Sequence, residues 1–176
     1  TSPSATLSAE TTVDLLAGGI REIFFTPNLG GTSIVIPDAF NNRIVQVSDM
    51  TGTGWIEKDY MDFGIPSDFG YGFVPWDIDF DDQGRIYIAN GGGDYDFPGV
   101  IRIDDIEHVS PTGFVEVESN IGMNTLAVDR VNGYVYYTSG YSTLYRKNIN
   151  SPTIETDSPE SYDLTKDFPN FTTTGI

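Results

Sequence analysis

The sequence predicts an all-β chain built from repeated four-stranded antiparallel units, on three observations. Short runs rich in Val, Ile, Tyr and Phe alternate with turns carrying Gly, Asn and Asp. The same order of runs returns three times, at a spacing of about 45–55 residues. No segment places apolar residues at helical spacing.

The first unit begins at Ile23-Phe24-Phe25-Thr26, turns at Asn28-Leu29-Gly30-Gly31 and extends again over Ser33-Ile34-Val35-Ile36. After Asp38-Ala39-Phe40-Asn41-Asn42 comes Arg43-Ile44-Val45-Gln46-Val47, and Trp55-Ile56-Glu57-Lys58 supplies the fourth strand. The second unit runs through Asp77-Ile78-Asp79-Phe80, the turn Asp81-Asp82-Gln83-Gly84, Arg85-Ile86-Tyr87-Ile88-Ala89, Val100-Ile101-Arg102-Ile103 and Phe114-Val115-Glu116-Val117. The third has Thr125-Leu126-Ala127-Val128-Asp129, the turn Arg130-Val131-Asn132-Gly133, Tyr134-Val135-Tyr136-Tyr137-Thr138 and Thr143-Leu144-Tyr145-Arg146-Lys147. Its fourth strand is expected at Thr153-Ile154-Glu155-Thr156. Gly and Asn stand where the turns call for positive φ.

Four-stranded units at this period are the pattern of β-propeller blades. Ile34-Val35-Ile36-Pro37-Asp38 leading through Asn41-Asn42-Arg43-Ile44 to Val47 resembles the core of an NHL repeat, with its strand, Asp, short turn and Asn-x-Arg-Ile. Gly70-Tyr71-Gly72-Phe73-Val74-Pro75, followed by Gly84-Arg85-Ile86-Tyr87-Ile88-Ala89, is similar to that repeat's entry and first hairpin. Leu126 to Thr138 is closer to a YWTD-type repeat. The resemblance covers roughly residues 20–157. It implies blades at about 20–60, 70–118 and 122–157 within residues 20–160, an N-terminal tail or partial strand over 1–19, and a C-terminal tail or start of a further blade over 161–176. NHL-like propellers close with six blades, on the order of 250–300 residues. Three blades therefore read as an incomplete ring or a segment of a larger propeller. Three arrangements stay open: a longer polypeptide, a ring closed by two copies, or a fibre of stacked copies.

Composition narrows the partners. The 176 residues carry 9 Lys+Arg against 26 Asp+Glu, a net charge of -17, which disfavours nucleic acid because phosphates would be repelled. There is no cysteine and one histidine, His108, so disulfide frameworks and thiolate or histidine zinc sites are not expected. No apolar run of about 18 residues occurs, so no transmembrane helix is expected. The hydroxyl-rich opening Thr1-Ser2-Pro3-Ser4-Ala5-Thr6 reads as a surface tail or linker, and abundant Asp, Thr, Gly, Asn and Tyr with little Lys and no Cys fit an exported chain, secreted, at the cell surface or periplasmic.

Asp77, Asp79 and Asp81 alternate along one strand and share a face, and hard oxygen ligands at that density suit Ca²⁺. Asp79 stands out, because its counterparts are Phe24 and Ala127 and a carboxylate on an inner strand demands a partner. Asp81 recurs as Asp129 and also reads as the turn residue of the repeat. The long loop after Asn90 offers Asp94, Tyr95, Asp96 and Phe97 as a ligand-binding surface for calcium or carbohydrate. Asn170-Phe171-Thr172 is a glycosylation sequon if the chain is exported. Arg102 and Arg146 occupy matching strand positions and are expected to bond carboxylates. No nucleophile elbow occurs, and Ser110 lies too close in sequence to be served by His108. The function expected is therefore non-enzymatic: a binding or structural module with a protein or carbohydrate partner, or other copies of itself. The alternative is part of a calcium-dependent hydrolase, lactonase or lyase with a metal in the central channel.

Overall fold

A computed structural model describes residues 24–25, 33–48, 55–64, 72–91, 99–119, 123–139 and 142–167. The fold is all-β: three four-stranded antiparallel sheets, each an up-and-down meander of consecutive strands, arranged as propeller blades. Blade one contains β1 (Phe24–Phe25), β2 (Ile34–Asp38), β3 (Arg43–Val47) and β4 (Ile56–Asp59). Blade two contains β5 (Pro75–Phe80), β6 (Ile86–Asn90), β7 (Val100–Ile103) and β8 (Val115–Glu118). Blade three contains β9 (Met123–Asp129), β10 (Tyr134–Ser139), β11 (Thr143–Asn148) and β12 (Glu160–Asp163).

The period-2 alternation of each strand decides which junction its side chains serve. Ile78 and Phe80 of β5, Ile86 and Ile88 of β6, and Ile101 and Ile103 of β7 pack against Val35 and Ile44 of blade one. The intervening Tyr87, Ala89 and Val100 turn the other way and meet Leu126, Val128, Val135 and Tyr137 of blade three. Blade two thus buries one face against each neighbour, and burying an Ile or Val stabilises by about 1.5–3 kcal/mol.

Turn chemistry explains the hairpins. Asp81 accepts from the backbone N–H of Gln83 and of Arg85, and Gly84 closes the turn at φ 77°. Asp129 does the same with the N–H of Val131 and of Asn132, ahead of Gly133 at φ 74°. Positive φ in both hairpins is the conformation that favours Gly. Close packing sets a third glycine: a Cβ on Gly91 would sit 1.3 Å from Nε1 of Trp76.

One strand differs from the expectation. Residues 153–156 form turns, and the fourth strand of blade three is Glu160–Asp163, paired with β11 through Leu144↔Tyr162 and Arg146↔Glu160. The β-branched Thr153 and Ile154 read as strand, but local hydrogen bonding wins. Ser151 Oγ accepts from the Thr153 N–H, and the Thr153 carbonyl accepts from the N–H of Thr156 and of Asp157. Ile154 is buried against blade three instead of extending. Blade three therefore reaches residue 163, not 157.

Candidate functional site

The carboxylates singled out on β5 face blade three. Among the described residues β9 is the edge strand of its sheet and pairs only with β10, so its other edge carries backbone donors that need acceptors. Asp77 accepts from the Leu126 N–H at 2.8 Å and from Thr125 Oγ1 at 2.7 Å. Two residues on, Asp79 accepts from the Val128 N–H at 2.7 Å and from the Arg130 guanidinium. Carboxylates at positions i and i+2 of one strand thus meet N–H groups at positions j and j+2 of another, and the side chains stand in for the missing strand. Asp81, fully buried, is engaged within its own blade by Arg85 Nε and the two turn amides.

Asp77, Asp79 and Asp81, the residues expected to hold Ca²⁺, are thus each engaged by donors of the protein itself. Their alternation does not bring the three to one point: two reach into the neighbouring blade and the third folds back on its hairpin. Among the described residues no group of three or more His, Cys, Asp or Glu side chains is placed to hold a metal ion. Asp94, Tyr95, Asp96, Phe97 and Asn170 lie outside the described residues.

A second polar knot lies in the same junction and was not foreseen. Glu118, Tyr137 and Lys147 are all nearly inaccessible. The Tyr137 hydroxyl donates to Glu118 at 2.8 Å, and Lys147 Nζ donates to the carbonyls of Val117 at 2.6 Å and Ile154 at 3.1 Å. Lys147 Nζ is 3.8 Å from Glu118. Burial, reinforced by the Glu118 carboxylate, raises the Tyr137 hydroxyl well above the ordinary range. The sequence held a signal for this: Lys147 stands two residues from Tyr145, on the face of β11 that should be apolar. His108, by contrast, is 80% exposed and bonded to Asp105 at 2.9 Å, beside a short 3₁₀ turn.

The two matching arginines sit in equivalent rows with different surroundings. Strand register places Val35 opposite Gln46, Tyr87 opposite Arg102 and Tyr136 opposite Arg146. Val35 and Tyr87 are each fully buried by the next blade, whereas Tyr136 is only partly buried. On this third face Arg146 lies over the Tyr134 ring at 4.4 Å from its centroid and donates to the Tyr136 hydroxyl and Glu160. Leu144 and Tyr162 complete a hollow of about 270 Å³, with Tyr162 45% exposed. Arg102 bonds Asp104 at 3.1 Å, so both arginines do meet carboxylates.

No protein-family model and no curated protein sequence matches the chain. Among solved structures it is similar to a catalytically inactive virginiamycin B lyase from Staphylococcus aureus with quinupristin, at TM-score 0.54 and 14% identity over 84% of this chain. It is likewise similar to the extracellular domain of a one-component system from B. thetaiotaomicron, at TM-score 0.53 and 15% identity over 83% of the chain. The extracellular domain of a hybrid two-component system from the same organism gives 0.53 and 15% over 86%. The chain spans 42%, 17% and 18% of these proteins respectively. Likeness at this identity shows the shared β-propeller fold. Among the described residues no helix is long and apolar enough to cross a membrane.

Proposed function

We propose that the chain is a non-enzymatic β-propeller interaction module, acting outside the cytoplasm, whose third blade docks a further β-sheet supplied by another copy of the chain. One observation carries this reading. The row containing Tyr136 and Arg146 occupies the register that, on blade two, is covered by blade three, yet among the described residues no further sheet covers it and Tyr136 is only half-buried. Val35 and Tyr87 have 0% exposure because a neighbouring blade covers them. Tyr136, Leu144 and Tyr162 offer the same kind of aromatic and aliphatic surface, with Tyr134 beneath Arg146, and Glu160 compensates the charge of Arg146. Exposed apolar patches of this kind mark interaction sites. Asp77 and Asp79, the carboxylates singled out on β5, are engaged in joining blades two and three. The extracellular setting of two structural neighbours is consistent with export.

Light scattering coupled to size exclusion, across a range of protein and salt concentrations, tests the proposal. Association should grow with concentration and with salt, because like-charged copies repel and salt screens the repulsion. Tyr136→Glu should abolish it while leaving the far-ultraviolet spectrum intact. A species that stays monomeric at every concentration and salt, or associates equally well with Glu at position 136, would overturn the reading.

A further inference from the structure

The junction between blades two and three opens, away from the aspartate ladder, into a polar cleft of about 410 Å³. Two of the chain's few cations, Arg85 and Arg102, line it together, against 9 Lys+Arg in total. Gln83 contributes from the β5–β6 turn, and Asn150, Ser151 and Glu155 come from the loop after β11. The Arg85 guanidinium is anchored through Nε to the fully buried Asp81. Its Nη2 is buried and finds no acceptor among the described residues. A buried N–H without an acceptor is costly, and an anchored guanidinium presents its donors in a fixed fork.

We propose that this cleft binds a small polyhydroxylated carboxylate of about monosaccharide size, its carboxylate received by Arg85 and by the guanidinium donors of Arg102 other than the Nε that bonds Asp104. A carboxylate supplies acceptors matched to the guanidinium fork, and pairs of this kind are the strong charge-assisted hydrogen bonds. Gln83, Asn150 and Ser151 offer amide and hydroxyl partners for hydroxyl groups. Glu155, exposed at the edge of the cleft, accepts from a hydroxyl but repels charge, so a singly charged acid is favoured over a doubly charged phosphate. The volume falls within the range of small-molecule sites, about 300–1,000 Å³. The cleft belongs to a junction formed within one chain. Its occupancy is independent of whether the open face of blade three docks another copy.

Isothermal titration of the whole chain at low salt, with galacturonate as probe and galactose and inorganic phosphate as controls, decides the matter. Galacturonate should bind more tightly than either control and weaken as salt is added. Arg102→Gln should weaken it at least about tenfold, because one of the two charge-assisted contacts is removed. Arg85→Lys keeps the charge beside Asp81 but loses the fork, and should weaken binding with little change in the melting temperature. Glu155→Gln, at an exposed position, should strengthen it severalfold. Failure of galacturonate to bind, equal binding of galactose, tighter binding of phosphate, or unchanged affinity in Arg102→Gln would each overturn the assignment.

Discussion

The two junctions flanking blade two share strands but are held by different physics. On the blade-one side, Ile78, Phe80, Ile86, Ile88, Ile101 and Ile103 meet Val35 and Ile44, with the Phe63 and Phe73 rings 4.4 Å apart and tilted by 35° in the same cluster. On the blade-three side, apolar contacts around Tyr87 and Val135 are crossed by the Asp77–Asp79 ladder and the Glu118–Tyr137–Lys147 knot. Dispersion and water exclusion do not prescribe how one sheet slides on another, whereas carboxylates aimed at alternate N–H groups prescribe a register. The apolar junction is thus the tolerant one, and the polar junction is where single substitutions should act most sharply.

The largest effect is expected from breaking the buried ion pair. Glu118→Ala strands Lys147 in a dry junction and leaves the Tyr137 hydroxyl without its acceptor, a loss of about 3–5 kcal/mol. Combined with Lys147→Met, the loss should be smaller than the sum of the two single losses, since no charge is then left buried alone, while the Tyr137 hydroxyl and the Val117 and Ile154 carbonyls still lose their partners. Chemical denaturation of the two single variants and the double variant measures the coupling. Strictly additive losses would mean that the two groups do not act as a pair.

Next comes a contrast between adjacent residues of β5. Asp77→Ala leaves the Leu126 N–H and the Thr125 hydroxyl unpaired, at about 1–3 kcal/mol for each buried group. Ile78→Val, one residue along but facing blade one, removes a single methylene and should cost about 0.5–1.5 kcal/mol. Amide exchange sharpens the difference: the N–H of Leu126 should lose protection in the first variant and keep it in the second.

How far this was readable depends on the distance of the deciding partner. The hairpins at Gly84 and Gly133 were legible because turn chemistry is local, and the strand alternation was legible because its period is short. Asp79 was rightly singled out as needing a partner, but that partner, the Val128 N–H, lies 49 residues away, and no spacing rule reveals it. Glu160–Asp163 was missed because an edge strand of Glu, Ser, Tyr and Asp carries no apolar alternation. Lys147's place on the apolar face of β11 marks it as a buried cation, but its acceptors are two backbone carbonyls, which leave no mark in a sequence.

The junctions should also part company at high pH. Burial is the main reason that the Tyr87 hydroxyl is raised from 10.0 to about 12, and Tyr137 moves the same way. Tyrosine is neutral when protonated, so the fold favours the protonated form. That stabilisation is intact below the unfolded value near 10 and is lost as pH rises from 10 towards 12. Among the described residues the apolar cluster of the blade-one junction has no fully buried titratable member, Tyr60 packing against it only half-buried. Melting temperature should therefore fall across this window, and the decline should be shallower in Tyr87→Phe. An identical alkaline decline in that variant would remove Tyr87 from the account.

The smallest expected effect is the one calcium produces. Asp77 and Asp79 each already accept two hydrogen bonds from blade three, and a cation would have to displace donors that hold β9 in register. Millimolar Ca²⁺ and Mg²⁺ should raise the melting temperature equally, through general screening of the net charge of -17. Asp79→Ala should lower the melting temperature without altering that increment. A Ca²⁺-selective rise in the wild type that vanishes in Asp79→Ala would instead mean that the ladder opens to admit a metal, and that the polar junction is a binding site before it is a joint.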